Sequence, residues 1–133
     1  KGGNFSCDYK GEYYSTTTVY GYIKKIDVPE SYKCLQGILN SSLFWWFLVN
    51  TGTVLANDYF RFMPAYINKF PIPTFISPDI EKEIVNYVDK IVDSKNNNTN
   101  RDCSLYEKNI NQIVYSLYDL TDDEIRLIKS IID

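Results

Sequence analysis

The side chains best suited to recognition chemistry lie around one short stretch, YFRFMPAYINKFPIP, which covers residues 59–73. Arg61 stands there among aromatic residues, and Asn57 and Asp58 precede it. Arginine, asparagine and aspartate can hydrogen-bond the edges of guanine, adenine and cytosine, respectively. The stretch therefore suggests nucleic-acid reading, although a polar loop between core elements would have the same composition.

Contacts with a phosphate backbone need basic or hydroxyl side chains, and the first half of the chain supplies them. The candidates are Lys24, Lys25, Lys33, Lys69, Thr16 and Thr18. The net charge of −3 argues against binding by bulk electrostatics alone. Residues 1–73 nevertheless carry seven Lys/Arg against five Asp/Glu, whereas residues 74–133 carry seven against twelve. An anionic partner is therefore expected to meet the first half.

Catalytic residues are scarce. The chain has no histidine, which removes the commonest general base and metal ligand. It also lacks a nucleophile elbow, a P-loop and a dinucleotide-binding glycine motif. Its acidic clusters, at residues 79–83 and 122–124, fall in the first turns of predicted helices, where acids complement the helix dipole. We therefore expect no metal site and no catalysis from this chain.

At 133 residues the chain fits one domain that can bury a core without stabilisation by disulfide bonds or a metal ion. The three cysteines are widely spaced and favour free thiols in a reducing compartment. The longest apolar run, residues 43–49, is too short to span a bilayer, so we expect a soluble protein. Because the sequence begins at Lys1 without methionine, a piece of a longer protein is expected.

Residues 11–25 are rich in β-branched and aromatic side chains, a pattern that predicts a strand. Neither alternating face is plainly apolar, so this strand would carry a solvated or a binding surface. Residues 27–52 follow with Pro29 and Ser31 as start signals, and Gly52 ends the pattern. We predict one helix of roughly five turns there, with Trp45 and Trp46 in the core.

The second half predicts helices throughout. Ser77 caps a helix that starts at Pro78, and residues 94–102 form a flexible connector. A second helix follows, and the capping box that begins at Thr121 starts a third. The predicted fold class is α+β, with a small antiparallel or mixed sheet in residues 1–73, a central helix, and a C-terminal helical hairpin plus a terminal helix in residues 74–133.

Four motifs in order carry a family resemblance: CLQGILNSSLFWWFLVNTG, NDYFRFMPAYINKFPIP, IEKEIVNYVDKIVD and NINQIVYSLYDLTDDEIRLI. Together they resemble the C-terminal target recognition domain of TaqI-like and type IIG restriction-modification methylases. The Pro-Ile-Pro turn before a helix is also shared with specificity subunits of type I systems. The resemblance covers about residues 13–128, and the ordered combination is more specific than any single motif.

The resemblance implies that the parent enzyme transfers a methyl group from S-adenosylmethionine to N6 of adenine, and that it uses Mg²⁺ if a nuclease is fused. It implies that this chain is a non-catalytic module in the prokaryotic cytoplasm, with double-stranded DNA and the parent's own methyltransferase domain as partners. Residues 53–66 would face the DNA, with Arg61 as the lead base reader beside Asn57 and Asp58. Tyr59 is a further candidate, which would brace the loop against the core together with Phe60 and Phe62.

The same residues are also compatible with a second class of function. The aromatic surface and the helical hairpin could instead dock another protein, without any role for nucleic acid. Salt dependence separates the two classes, because DNA binding weakens steeply with ionic strength and a hydrophobic interface does not.

Overall fold

A computed structural model of the chain describes residues 4–16, 19–53, 60, 62–98 and 100–132. Over these residues the chain forms six helices: α1 Tyr32–Leu39, α2 Ser42–Thr51, α3 Pro64–Ile67, α4 Pro78–Asn97, α5 Ser104–Leu117 and α6 Asp122–Ile132. Of the residues that the structure describes, 56% are helical and 1% are in a strand. The predicted α+β class is therefore wrong, since the described residues contain no sheet.

The predicted strand at residues 11–25 has no β-partner in its described part. Side chains on both of its faces are exposed. Tyr14, on one face, is 98% exposed, and Ile23, on the other, is 89% exposed. Before it, the Asp8 carboxylate accepts backbone N–H bonds from Lys10, Gly11 and Tyr13. A strand needs partner strands and a buried face to be stable. Neither is present for residues 11–16 and 19–25, so the β-propensity of these described residues does not lead to a strand.

The predicted single helix over residues 27–52 is also wrong, because it is broken at Asn40 and Ser41 into α1 and α2. Asn40 ends α1, where its N–H donates to carbonyls of the last turn. Ser41 has extended backbone angles (φ −73°, ψ 159°), and its hydroxyl accepts the N–H of Phe44. Serine at this position caps a new helix. The break lets α1 pack mainly on α4, while α2 packs mainly on α6.

The C-terminal half contains the predicted hairpin, α4 and α5, followed by α6. Ser77 caps α4, and Pro78 occupies its first position, as predicted. The expected connector is shorter than residues 94–102, because α4 continues to Asn97 and buries Ser94. At α6 the backbone N–H and hydroxyl of Thr121 both donate to Glu124 Oε2 at 2.8 Å, which forms the predicted capping box.

One hydrophobic core joins all six helices. Its fully buried side chains include Ile38, Phe44, Leu48, Ile84, Val114 and Ile128. Burial raises the pKa of the Cys34 thiol to about 12, so this side chain stays neutral in the core. Trp45 and Trp46 pack against the core, as predicted, but both keep partial exposure.

Helices α1 and α4 approach each other closely at Gly37. A β-carbon on this residue would lie 2.5 Å from Ile84 Cγ2 and 3.2 Å from Val88 Cγ2.

None of the helices in the described ranges combines the length and apolarity that a bilayer crossing requires.

Candidate nucleic-acid interface

The candidate reading segment, residues 53–66, joins α2 to the end of α3. The four base-reading candidates, Asn57, Asp58, Tyr59 and Arg61, lie outside the described residues. Their assignment therefore remains a prediction from the sequence. The structure describes the two ends of the segment, at residue 53 and at residues 60 and 62–66.

Both ends of the segment are fixed to the helical core. At the start, the Thr53 hydroxyl hydrogen-bonds the Tyr66 hydroxyl, which ties the end of α2 to α3. Further along, the ring of Phe60 meets Trp45 edge-on with a centroid separation of 5.5 Å. The ring of Phe62 stacks on the same tryptophan, with a centroid separation of 6.3 Å. Phe60 and Phe62 thus brace the segment against the core, as predicted.

The chain then leaves α3 through the Phe-Pro-Ile-Pro stretch, which is attached to the end of α5. Phe70 is buried, and its ring lies 5.1 Å from Phe44 and 5.7 Å from Tyr118. The Tyr118 hydroxyl donates a 2.6 Å hydrogen bond to the Pro71 carbonyl. Burial raises the pKa of Tyr118 and keeps this hydroxyl protonated. The turn is therefore held by a residue 47 positions later in the chain.

The Leu-Asn-Ser-Ser stretch at the start of α2 is likewise held by a distant residue. The side-chain oxygen of Asn111, on α5, accepts the backbone N–H of Ser42 at 2.8 Å. The first amides of a helix have no partner within the helix, so Asn111 satisfies one of them. Sequence reasoning missed Asn111, because nothing in the local pattern indicates a partner 69 residues away.

Two of the lysine candidates already have partners within the chain. The Lys24 ammonium donates to the carbonyls of Val28 and Glu30 at 3.0 and 2.9 Å. The Lys33 ammonium pairs with Asp89 at 2.5 Å and lies 5.5 Å from the centre of the Tyr9 ring. Each would have to exchange these contacts for a phosphate.

The other candidates for backbone contact are more accessible. Lys25 and Lys69 are exposed, and within the described ranges neither side chain makes a hydrogen bond or an ion pair. Thr16 is exposed, and its carbonyl accepts the N–H of Val19. Thr18 lies outside the described residues. Lys25 and Lys69 are consequently the candidates that are free to meet an anionic partner.

The acidic clusters act mainly in helix starts. Glu81, in the first turn of α4, accepts the N–H of Ser31 at 2.7 Å and so links the starts of α1 and α4. Hydrogen bonds from the backbone N–H and the hydroxyl of Thr121 lower the pKa of Glu124. In the part of the chain that the structure describes, no three potential metal ligands cluster.

An open groove of about 920 Å³ runs beside the N-terminal segment. Residues 4–10 form one wall, and α1, α4 and α5 form the floor. The floor combines apolar residues with the side-chain amides of Gln36, Asn40 and Asn111. Gln36 Oε1 is buried and has no hydrogen-bond partner among the described residues. Sequence analysis did not single out these amides, which become neighbours only in the folded chain.

Comparison with protein-family models, with curated proteins and with solved structures found no match for this chain. The resemblance to target recognition domains therefore depends on the order and content of the motifs. The contacts described above add that three of these motifs meet in space, at Ser42–Asn111 and at Pro71–Tyr118.

Proposed function

We propose that this chain is a DNA sequence-recognition module of a type IIG-like restriction-modification methyltransferase. In this role it positions the enzyme on its target site for N6-adenine methylation. The observation that carries the proposal is that the motif residues around the reading segment support one another. Asn111 holds the start of α2 and Tyr118 holds the Phe-Pro-Ile-Pro turn, so contacts between the motifs hold the elements that flank the reading segment.

In this proposal Arg61 is the lead base reader, and Asn57, Asp58 and Tyr59 contribute further contacts. The neighbours of Arg61 in sequence, Phe60 and Phe62, are packed on the core. A bidentate arginine–guanine pair discriminates against a wrong base by about 1–3 kcal/mol. Preorganisation by a rigid scaffold is what such a contact requires.

The remaining parts of the proposal concern the parent enzyme. Its methyltransferase domain would bind S-adenosylmethionine, and Mg²⁺ would serve a fused nuclease. This chain would contribute no catalytic group. Double-stranded DNA and the methyltransferase domain would be its partners, in the cytoplasm of a prokaryote. Much of the phosphate contact would come from the methyltransferase domain, since this chain carries a net charge of −3.

The test is to map modified bases in DNA from cells that express the full-length parent in a host without adenine methylation. We expect a defined N6-methyladenine motif. Arg61→Ala should relax one base position of that motif, whereas Lys25→Ala should weaken methylation of all sites equally. Arg101→Ala, which removes an exposed arginine outside the first half of the chain, is the matched control and should leave the motif unchanged.

Two outcomes would contradict the proposal at different levels. A well-expressed parent that yields no methylated motif would refute the recognition function. A defined motif that Arg61→Ala weakens uniformly, without relaxing any position, would refute the assignment of Arg61 as a base reader.

The exposed aromatic arm, residues 13–16 and 19–26, favours a second candidate, a protein-interaction module. Tyr13, Tyr14, Ile23 and Ile26 are 81–104% exposed. Large apolar side chains exposed on one surface often mark interfaces. A partner captured through this arm should stay bound at high salt, whereas DNA should dissociate. Substituting Ile23 and Ile26 with serine should then abolish capture of that partner and leave a methylation motif unaffected.

A further inference from the structure

The N-terminal segment is clamped to α1 at Phe5. The side-chain oxygen of Asn40 accepts the Phe5 N–H, and the Asn40 amide donates to the Phe5 carbonyl, both at 2.8 Å. Gln36 Nε2 donates to the same carbonyl at 3.2 Å. One carboxamide therefore holds both backbone groups of a single residue, as a neighbouring β-strand would. This contact fixes the segment in position and in orientation.

The ring of Phe5 connects three parts of the molecule. It meets Phe44 of the core edge-on at 5.3 Å between ring centroids. It lies 5.4 Å from Phe62, where the reading segment returns to the core. It also lies 6.2 Å from Tyr22 of the exposed arm. Phe62 thus packs between the helical core and a ring supplied by the N-terminal segment.

We propose that Phe5, held by Asn40, is a positioning residue for the DNA-reading segment. The ring sets where Phe62 sits, and Phe62 lies just before α3, in the described end of the segment at residues 62–66. Phe62 keeps its contacts with Trp45 and Phe44 when the Phe5 ring is removed, so the core survives while the placement of residues 62–66 loosens. This inference rests on the proposed function, because it assigns the segment a DNA-reading role.

The first experiment measures the coupling without DNA, by hydrogen–deuterium exchange on the chain. Phe5→Leu removes the ring but keeps an apolar side chain. Asn40→Asp keeps the acceptor but removes the amide donor. In both variants we expect the amides of residues 62–67, which include the Tyr66 and Ile67 N–H groups bonded to Met63, to exchange about 2- to 10-fold faster. Amides in the middle of α4 and α5 should be unchanged.

Two control variants make the same kinds of substitution in α4, away from the reading segment. Tyr87→Leu removes a half-buried ring from the α4–α5 surface, where it pairs with Tyr106. Asn97→Asp removes an amide donor to a backbone carbonyl, here that of Asp93. Neither should change exchange at residues 62–67. A uniform increase over all helices in Phe5→Leu and Asn40→Asp would mean that Phe5 only stabilises the fold, and would overturn the inference.

The second experiment places the same four substitutions in the full-length parent and maps methylated motifs. Phe5→Leu and Asn40→Asp should relax base positions of the motif while methylation continues, and the controls should not. If the wild-type parent gives no motif but exchange changes as expected, the proposed function fails while the coupling of Phe5 to Phe62 stands. If a motif is present and both exchange and motif are unchanged by the variants, the inference fails and the proposed function stands.

Discussion

Gly37→Ala tests the close contact between α1 and α4. The added β-carbon would lie 2.5 Å from Ile84 Cγ2, about 1 Å inside ordinary van der Waals contact, and 3.2 Å from Val88 Cγ2. All three residues are buried, so α1 and α4 must separate or Ile84 must leave its preferred rotamer. Overpacking of this kind costs about 1–3 kcal/mol.

An opposing effect reduces that cost. Alanine is favoured over glycine inside a helix by about 1 kcal/mol, since glycine loses more backbone entropy on folding. We therefore expect Gly37→Ala to lower the free energy of unfolding by up to about 2 kcal/mol in urea titrations followed by far-UV circular dichroism. Gly21→Ala is the control, because its nearest neighbour to an added β-carbon is Ser15 Oγ at 3.9 Å. It should change stability by less than about 0.5 kcal/mol.

A double-mutant cycle identifies the contact responsible. Ile84→Leu moves the branch point away from the backbone and removes the Cγ2 methyl that the β-carbon added at position 37 would meet. In that background Gly37→Ala should be less destabilising by about 1 kcal/mol or more. A cycle without coupling would refute the close approach of α1 and α4.

Three further outcomes are expected from single contacts. Asn111→Ala leaves an α2 amide without its acceptor and should cost about 1–3 kcal/mol, measured by urea unfolding. Tyr118→Phe removes only the hydrogen bond to Pro71 and should cost about 0.5–1.5 kcal/mol, while the ring contact with Phe70 is retained. Because hydrogen bonds from Thr121 lower the pKa of Glu124 in the folded state, their stabilisation is fully present above pH 4.5 and is lost as the pH falls through the lowered pKa. Glu124→Gln should flatten this acid dependence, and a stability that is equally acid-sensitive in the variant would contradict the assignment.

Local signals predicted the elements that depend on local chemistry. Ser77 and Thr121 indicated the starts of α4 and α6, because a cap is made by residues within one turn of each other. Ser41 is also a good cap and could have indicated the break between α1 and α2. The continuous apolar pattern favoured a single helix instead. The strand predicted at residues 11–25 was wrong because β-propensity reflects packing against neighbouring strands, and this stretch has no partner strand in its described part.

The candidate site was predictable in part. Packing of Phe60 and Phe62 follows from two large aromatic side chains beside a helix rich in them. The side-chain amides that hold the N-terminal segment and the start of α2 were not predictable. Asn40 and Phe5 are 35 residues apart, and Asn111 and Ser42 are 69 apart. Periodicity describes which face of an element is apolar and carries no information about which elements meet.

The bond between Asn111 and Ser42 has a consequence for synthesis on the ribosome. Helix α2 is complete in the nascent chain long before α5, which supplies its partner 69 residues later. At about 5–20 residues per second, this delay is roughly 3–14 s, far longer than a helix needs to form. Through most of that interval the apolar face of α1 lacks its full covering from α4, and that of α2 lacks its coverings from α5 and α6. The first half of the chain is thus a candidate for chaperone binding during translation, and its folding is completed only when the last third emerges.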